Sequence, residues 1–284
     1  MTEGMELTDD KGRLQEASGL PLELTDEGRL LFRDQLPPVQ PEERARQAMQ
    51  PVLRLPEAGG PEVLYLMYRD VGWPEDRRAA ARWGLRYDIT VLSPGCVGDE
   101  YVKTLGHFHP RPPGEHRFTY PEVYEVLVGW AVYLLQRNSS ARPGSAEEVL
   151  VIEAKAGDKV VIPPGFGHVT INPAASPLVM ANWVARGFQS LYHSFISMGG
   201  AAYHLIHHRG KAQWVPNPRY HPRPAMRTAR PNPAALERLG LPPGVPLYRC
   251  FQPHKPSLSW LLSPRHAPVP WEDVLCIEGL VKEG

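Results

Sequence analysis

The stretches TLGHFHP, residues 104–110, and GDKVVIPPGFGHVTIN, residues 157–172, decide how the rest of the chain is read. In an extended strand, residues two apart share a face, so His107 and His109 present two imidazoles to one side. Alone, such a pair is more often a surface or hydrogen-bonded couple than a metal site. The second stretch adds His168, and EVYEVLVG, which lies between the two, adds Glu122. Three imidazoles and one carboxylate suit a divalent first-row metal, with one or two positions left for substrate or water.

The surroundings of these stretches read as strands. From Tyr101 to Phe195 the chain runs in short segments rich in Val, Ile, Tyr and Leu (EVYEVLVG, WAVYLLQR, EEVLVIEAKAG, KVVIPPG, HVTINP, LVMANWV), broken by glycine or proline. That rhythm predicts an all-β sandwich or barrel. Upstream, EVLYLMYRDV and LRYDITVLSP read as two more strands, and GWPEDRRAAARWG between them as a short helix opened by proline. In PEERARQAMQPVLR the pattern allows one or two helical turns stopped at Pro51. After about residue 208, WVPNPRYHPRPAMRTARPNPAALERLGLPPGVP is too proline-rich for regular strands and reads as an irregular wrap or tether. Three parts follow: an N-terminal wrap over residues 1–60, a barrel with a metal site over 61–207, and a proline-rich extension over 208–284.

Composition narrows the partners. At 284 residues the chain can bury a core without disulfides or structural metal. Lys and Arg together number 31 and Asp and Glu together 31, so no global field favours nucleic acid or an anionic membrane. Cys96, Cys250 and Cys276 are too few and too scattered for a disulfide framework, which fits a reducing cytoplasm. MTEGMELTDDKGRLQ is acidic and polar where a secretory signal would be basic and then apolar. No run approaches the roughly 18 apolar residues of a membrane span. The expectation is a soluble cytoplasmic protein.

The two opening stretches resemble the paired motifs of the cupin superfamily. The first motif, an HxH pair, a glutamate and a glycine, is met by His107, His109, Glu122 and Gly129. The second is met without a gap by Gly157, Pro163, Gly165, His168 and Asn172. Cupins usually place the glutamate a few residues after the histidines, whereas PRPPGEHRFTYP intervenes here and offers Glu115 as a competitor. Glu122 is preferred for its spacing to Gly129 and its place on an alternating strand, and Glu115 reads as a solvated loop carboxylate. Over residues 62–207 the chain is similar to the cupin-type glucose-6-phosphate isomerases known from archaea and some bacteria.

That resemblance implies a double-stranded β-helix (jelly-roll) barrel and one divalent metal per chain, Fe(II) first, with Mn, Ni or Zn as alternatives. It implies His107, His109, Glu122 and His168 as ligands, and Tyr68, Thr90, Thr104, Gly106 and Tyr120 as contacts to a sugar phosphate. Glu122, His107, His168 and Tyr124 then carry the isomerisation of glucose 6-phosphate and fructose 6-phosphate in glycolysis and gluconeogenesis, in a homodimer. Plainer readings stand beside it. Thr90 and Thr104 also suit strands simply as β-branched residues, Tyr120 and Tyr124 suit a core, and Arg111 and Arg117 suit solvent. Strict alternation puts Thr104 on the face opposite His107, so a phosphate role requires a bulge or twist at Gly106. An iron oxygenase could use the same ligands, and a non-catalytic sugar-binding cupin could keep the fold.

Overall fold

The computed structural model describes residues 10–142, 144–255 and 257–281. β1 (Leu22–Leu24) and β2 (Leu30–Phe32) form an antiparallel hairpin. β3 (Glu42–Ala45), β4 (Val63–Tyr68) and β5 (Leu85–Leu92) pair antiparallel in turn. The expected helix lies between the last two, Pro74–Arg82, with its proline in the first turn. In PEERARQAMQPVLR the helical part is only Arg46–Met49, continued by a 3-10 turn that contains Pro51. β6 (Cys96–Val97) and β7 (Glu100–Tyr101) precede the metal-motif stretch. Then follow β8 (Glu122–Val128), β9 (Trp130–Asn138), β10 (Ala146–Lys155), β11 (Lys159–Ile162), β12 (Gly167–Ile171) and β13 (Leu178–Ala185), each on a segment read as a strand. β14 (Tyr203–His208) and β15 (Lys211–Pro216) form a second hairpin, and β16 (Arg227–Pro231) and β17 (Leu275–Leu280) close the order.

Two sheets face each other. One has the order β11-β8-β13-β5-β4-β3, the other β12-β9-β10-β16-β17. Successive strands cross between them: β8 lies in the first, β9 and β10 in the second, β11 in the first, β12 in the second and β13 in the first. This alternation is the winding of a jelly-roll, and the barrel is a cupin barrel. Gly129 makes the β8-to-β9 crossing. Its φ is +89° and an added Cβ would lie 3.0 Å from the Pro177 carbonyl, so both the turn and the close approach require glycine. Between the sheets, Tyr133 packs on Tyr124 at 5.6 Å and its hydroxyl meets Met180 Sδ. Val126, Leu134 and Ile152 are fully buried, each burial worth about 1.5–3 kcal/mol.

The strands of the first sheet do not alternate polar and apolar, because the second face of that sheet is also covered. The C-terminal part packs there: Trp183 donates to the Leu247 carbonyl, and Tyr87, Trp183, Tyr248 and Phe251 form one aromatic cluster. Glu125, on that outer face, is buried against Lys159 at 2.9 Å and accepts the Leu247 amide. The segment after residue 208 is thus not irregular throughout. It adds β16, parallel to β10, and β17 beyond it. Prolines in the segment before β16 and Pro231 at its end hid these strands.

Candidate metal centre

Register explains how the ligands meet. His107 and His168 form an antiparallel bridge, each amide donating to the other's carbonyl, so both rings leave on one face with centroids 4.5 Å apart. His109, two residues on, shares that face, and its Nε2 lies 3.0 Å from His107 Nε2. The third wall is β8, where Glu122 and Tyr124 point inward. Ligand atoms of His107, His109, Glu122 and His168 all lie within 4.8 Å of one another.

These residues fit a metal. The Nδ1–H of His109 donates to the Tyr120 carbonyl at 2.9 Å, which fixes the tautomer and leaves Nε2 with its lone pair. Glu122 accepts from Asn182 Nδ2 through Oε1 at 2.7 Å, while Oε2 is buried without a hydrogen-bond partner and lies 3.4 Å from His109 Nε2 and from His168 Nε2. A buried carboxylate oxygen left unpaired costs about 1–3 kcal/mol or more, and a cation removes that cost. Burial, then the neighbouring His168 and His109, hold His107 well below the ordinary imidazole value. Burial also lowers His168. Both rings are therefore neutral and competent as ligands. Burial tends to raise Glu122, but the facing His109 and His168 rings outweigh it and keep the carboxyl well below its usual range. Burial, then Glu122, pushes Tyr124 well above the usual phenol range, so its hydroxyl, 3.0 Å from His168 Nε2, keeps its proton.

Glu115 is not part of this cluster. It is not the solvated carboxylate expected, either: its side chain is 6% exposed, pairs with Arg265 at 2.8 Å and accepts the Arg117 amide. Arg117 itself lies over the Phe118 ring, and the Asn172 amide donates to the Leu92, Ser93 and Ser176 carbonyls, tying the end of β5 to the loop before β13.

The ligands border a small, partly open cavity of about 90 Å³. Thr90, Thr104, Gly106 and Tyr124 line it as expected. The required bulge is present. Thr104 pairs with Thr170 through its amide, yet His107 pairs with His168, so three residue steps on one strand oppose two on the other. Gly106 absorbs the extra residue at φ +78°, and the bulge turns Thr104 to the side of the histidines.

Two expectations need correction. Tyr68 faces away from the cavity: β4 and β5 pair Met67 with Thr90 and Tyr68 with Ile89, so only Met67's face shares the Thr90 side. The Tyr68 hydroxyl accepts the Leu30 amide instead. Tyr65, two residues before Met67, takes the inward place. Tyr120 does not line the cavity. It serves His109 through its carbonyl, and its ring stacks on Phe188 at 4.9 Å. Sequence reasoning missed Tyr65, Asn182, Arg69, Arg86 and Tyr192, all lining the cavity. Asn182 left a signal, as a lone amide in the apolar run LVMANWV.

Gly106 permits a direct test of the bulge. An alanine there would place its Cβ 2.5 Å from Val169 Cγ2 and 3.0 Å from the Phe195 ring, in a left-handed backbone. The expected loss for Gly106→Ala is about 2–4 kcal/mol, read by denaturant unfolding of the metal-free protein. Wild-type stability in that variant would mean that the bulge is misplaced.

A jelly-roll barrel with three histidines and a glutamate converging on its inner wall defines a cupin equipped to hold a metal ion. Within that class the chain belongs to the glucose-6-phosphate isomerase family, whose model matches residues 31–223. It is similar to the glucose-6-phosphate isomerase of Thermococcus litoralis, 35% identical over 95 residues, or 34% of this chain and 43% of that one. It is 31% identical to the glucose-6-phosphate isomerase of Pyrococcus horikoshii over 137 residues, 48% of this chain and 65% of that one. A putative glucose-6-phosphate isomerase 2 of Rhizobium meliloti is 35% identical over 92 residues, 32% of this chain and 40% of that one. The matched stretches thus span 40% to 65% of these relatives.

Proposed function

We propose that this chain is a metal-dependent glucose-6-phosphate isomerase. The observation that carries the reading is a complete His107, His109, Glu122 and His168 set in the same cavity as Thr90 and Thr104, in a member of this family. Aldose–ketose conversion moves one hydrogen between C1 and C2 and shifts protons between their oxygens. It needs a base beside those carbons and relief of charge on oxygen. A metal held by His107, His109, His168 and Glu122, Fe(II) in the first instance and Mn, Ni or Zn otherwise, would supply Lewis acidity to those oxygens. Glu122, ionised and oriented by Asn182, takes the proton from one carbon and returns it to the other through an enediol. Tyr124, kept protonated, donates to a substrate oxygen. Burial of His109, Glu122, Tyr124 and His168 limits the water around the reacting groups.

Thr90, Thr104, Tyr65 and the Gly106 bulge offer neutral donors for the phosphate, whose binding energy sets the register of the sugar. Thr90→Val is expected to weaken fructose 6-phosphate binding by about 1–3 kcal/mol with metal content unchanged. Normal substrate binding in that variant would remove Thr90 from the phosphate site. The function itself is tested by a coupled assay from fructose 6-phosphate to glucose 6-phosphate, on protein stripped of metal and reloaded with each of the four ions. Oxygen uptake in place of isomerisation would favour an oxygenase. Among the described residues no helix is long and apolar enough to cross a membrane. A cytoplasmic homodimer is the assembly and compartment we assign, supported by the three free cysteines and the resemblance, and light scattering tests the dimer.

A further inference from the structure

The neutral donors of the proposed phosphate site leave one requirement unmet. A sugar phosphate carries close to two negative charges near neutral pH, and hydroxyls and amides bind such a group less strongly than a cation does. Among the residues that line the cavity, the cations are Arg69 and Arg86. Both converge on Asp88, which is fully buried: Arg69 Nη1 donates to Oδ2 at 2.9 Å, and Arg86 Nε donates to both oxygens at 2.8 and 2.9 Å. The Asp70 amide donates to the same carboxylate. The two guanidiniums share this one buried carboxylate; the only other carboxylate paired with Arg69 among the described residues is Glu42, exposed and 4.0 Å from Nε, a contact that solvent weakens.

The direction of Arg69 is specific. By register it stands on the inner face of the first sheet, beyond Tyr65 and Met67. Its second terminal nitrogen folds back to 3.0 Å from Met67 Sδ, and Met67 is the residue paired with Thr90. A thioether is a weak acceptor and leaves that N–H largely unsatisfied. Asp88 therefore holds the guanidinium by one edge while the other edge lies over the Thr90 row. Arg86 shares the same carboxylate and steadies it from below. The Arg69 side chain is 33% exposed, which is open enough for a ligand to reach and covered enough for the contact to be worth more than a surface pair.

We propose that Arg69 supplies the positive charge of an oxyanion seat that receives the phosphate group of the substrate, with Asp88 and Arg86 as its positioning residues. The proposal rests on the isomerase reading for the identity of the sugar, but the seat is defined by its affinity for a phosphate oxyanion. The probe is inorganic phosphate, titrated calorimetrically into the metal-loaded protein. Arg69→Met is expected to weaken phosphate binding about tenfold or more and to raise KM for fructose 6-phosphate by a similar factor, with metal content unchanged. Arg69→Lys, which keeps charge but loses the fork, is expected to recover part of that affinity. A second measurement needs no variant: phosphate should slow modification of Arg69 by phenylglyoxal in the wild-type protein, read by peptide mass. Phosphate affinity unchanged in Arg69→Met, or no protection of Arg69, would overturn the seat. The two readings fail separately. Wild-type protein that binds phosphate at Arg69 but does not interconvert the sugar phosphates would sink the isomerase function and leave the seat standing.

Discussion

His109→Gln is expected to lose its metal and, with it, turnover of fructose 6-phosphate by about a thousandfold or more. The size follows from the geometry of this one ring. Its Nδ1–H is committed to the Tyr120 carbonyl, so Nε2 alone faces His107 Nε2 and the unpartnered Glu122 Oε2. Glutamine can reach toward the same place but offers a weaker amide oxygen and has no ring to be oriented by Tyr120 and Phe188. Metal content by mass spectrometry and turnover should fall together. Glu115→Gln is the paired control: its carboxylate belongs to Arg265, outside the cluster, so neither quantity should change. A full metal complement in His109→Gln, or loss of metal in Glu115→Gln, would show that the wrong glutamate and histidines had been assigned.

The choice between Glu122 and Glu115 was legible because Glu122 lies on a strand with a definite inward face. Residues on strands inherit their direction from the pleat, and the HxH pair, the second histidine motif and the segments from β8 to β13 could all be read that way. Even the bulge at Gly106 followed from a conflict between parity and chemistry. What the sequence did not reveal depends on register between strands far apart in the chain. Tyr65 and Tyr68 lie three residues apart, hence on opposite faces, and only the pairing of Met67 with Thr90 says which one looks inward. Arg69, Asp88 and Asn182 were hidden for the same reason: each is polar in a mainly apolar stretch, and only the closed barrel shows that Arg69 and Asn182 line one cavity, with Asp88 buried behind Arg69. The C-terminal strands were missed because proline masks β16, whose partner lies more than 70 residues upstream, as Leu150 and Arg227 do.

Glu122 faces a demand that no isostere meets, and this makes Glu122→Gln the most informative variant for mechanism. The carboxylate offers Oε1 to Asn182 and Oε2 to the histidine cluster. A glutamine has one oxygen and one NH2. Turned to satisfy Asn182, it presents N–H donors to the place where Oε2 stood, which weakens metal binding; turned the other way, it sets two NH2 groups against each other across a buried contact of about 2.7 Å. Either orientation also removes most of the basicity. Turnover at saturating metal is therefore expected to fall about a hundredfold or more, beyond the loss of metal affinity. Running the wild-type reaction in deuterated water separates base catalysis from a direct hydride shift between the carbons, which needs no base. Proton transfer through Glu122 predicts deuterium at C2 of glucose 6-phosphate or C1 of fructose 6-phosphate, in proportion to exchange with solvent. Product without label, together with near-normal turnover of the metal-saturated glutamine variant, would exclude Glu122 as the base. The carboxylate would then be left as a ligand whose orientation Asn182 fixes.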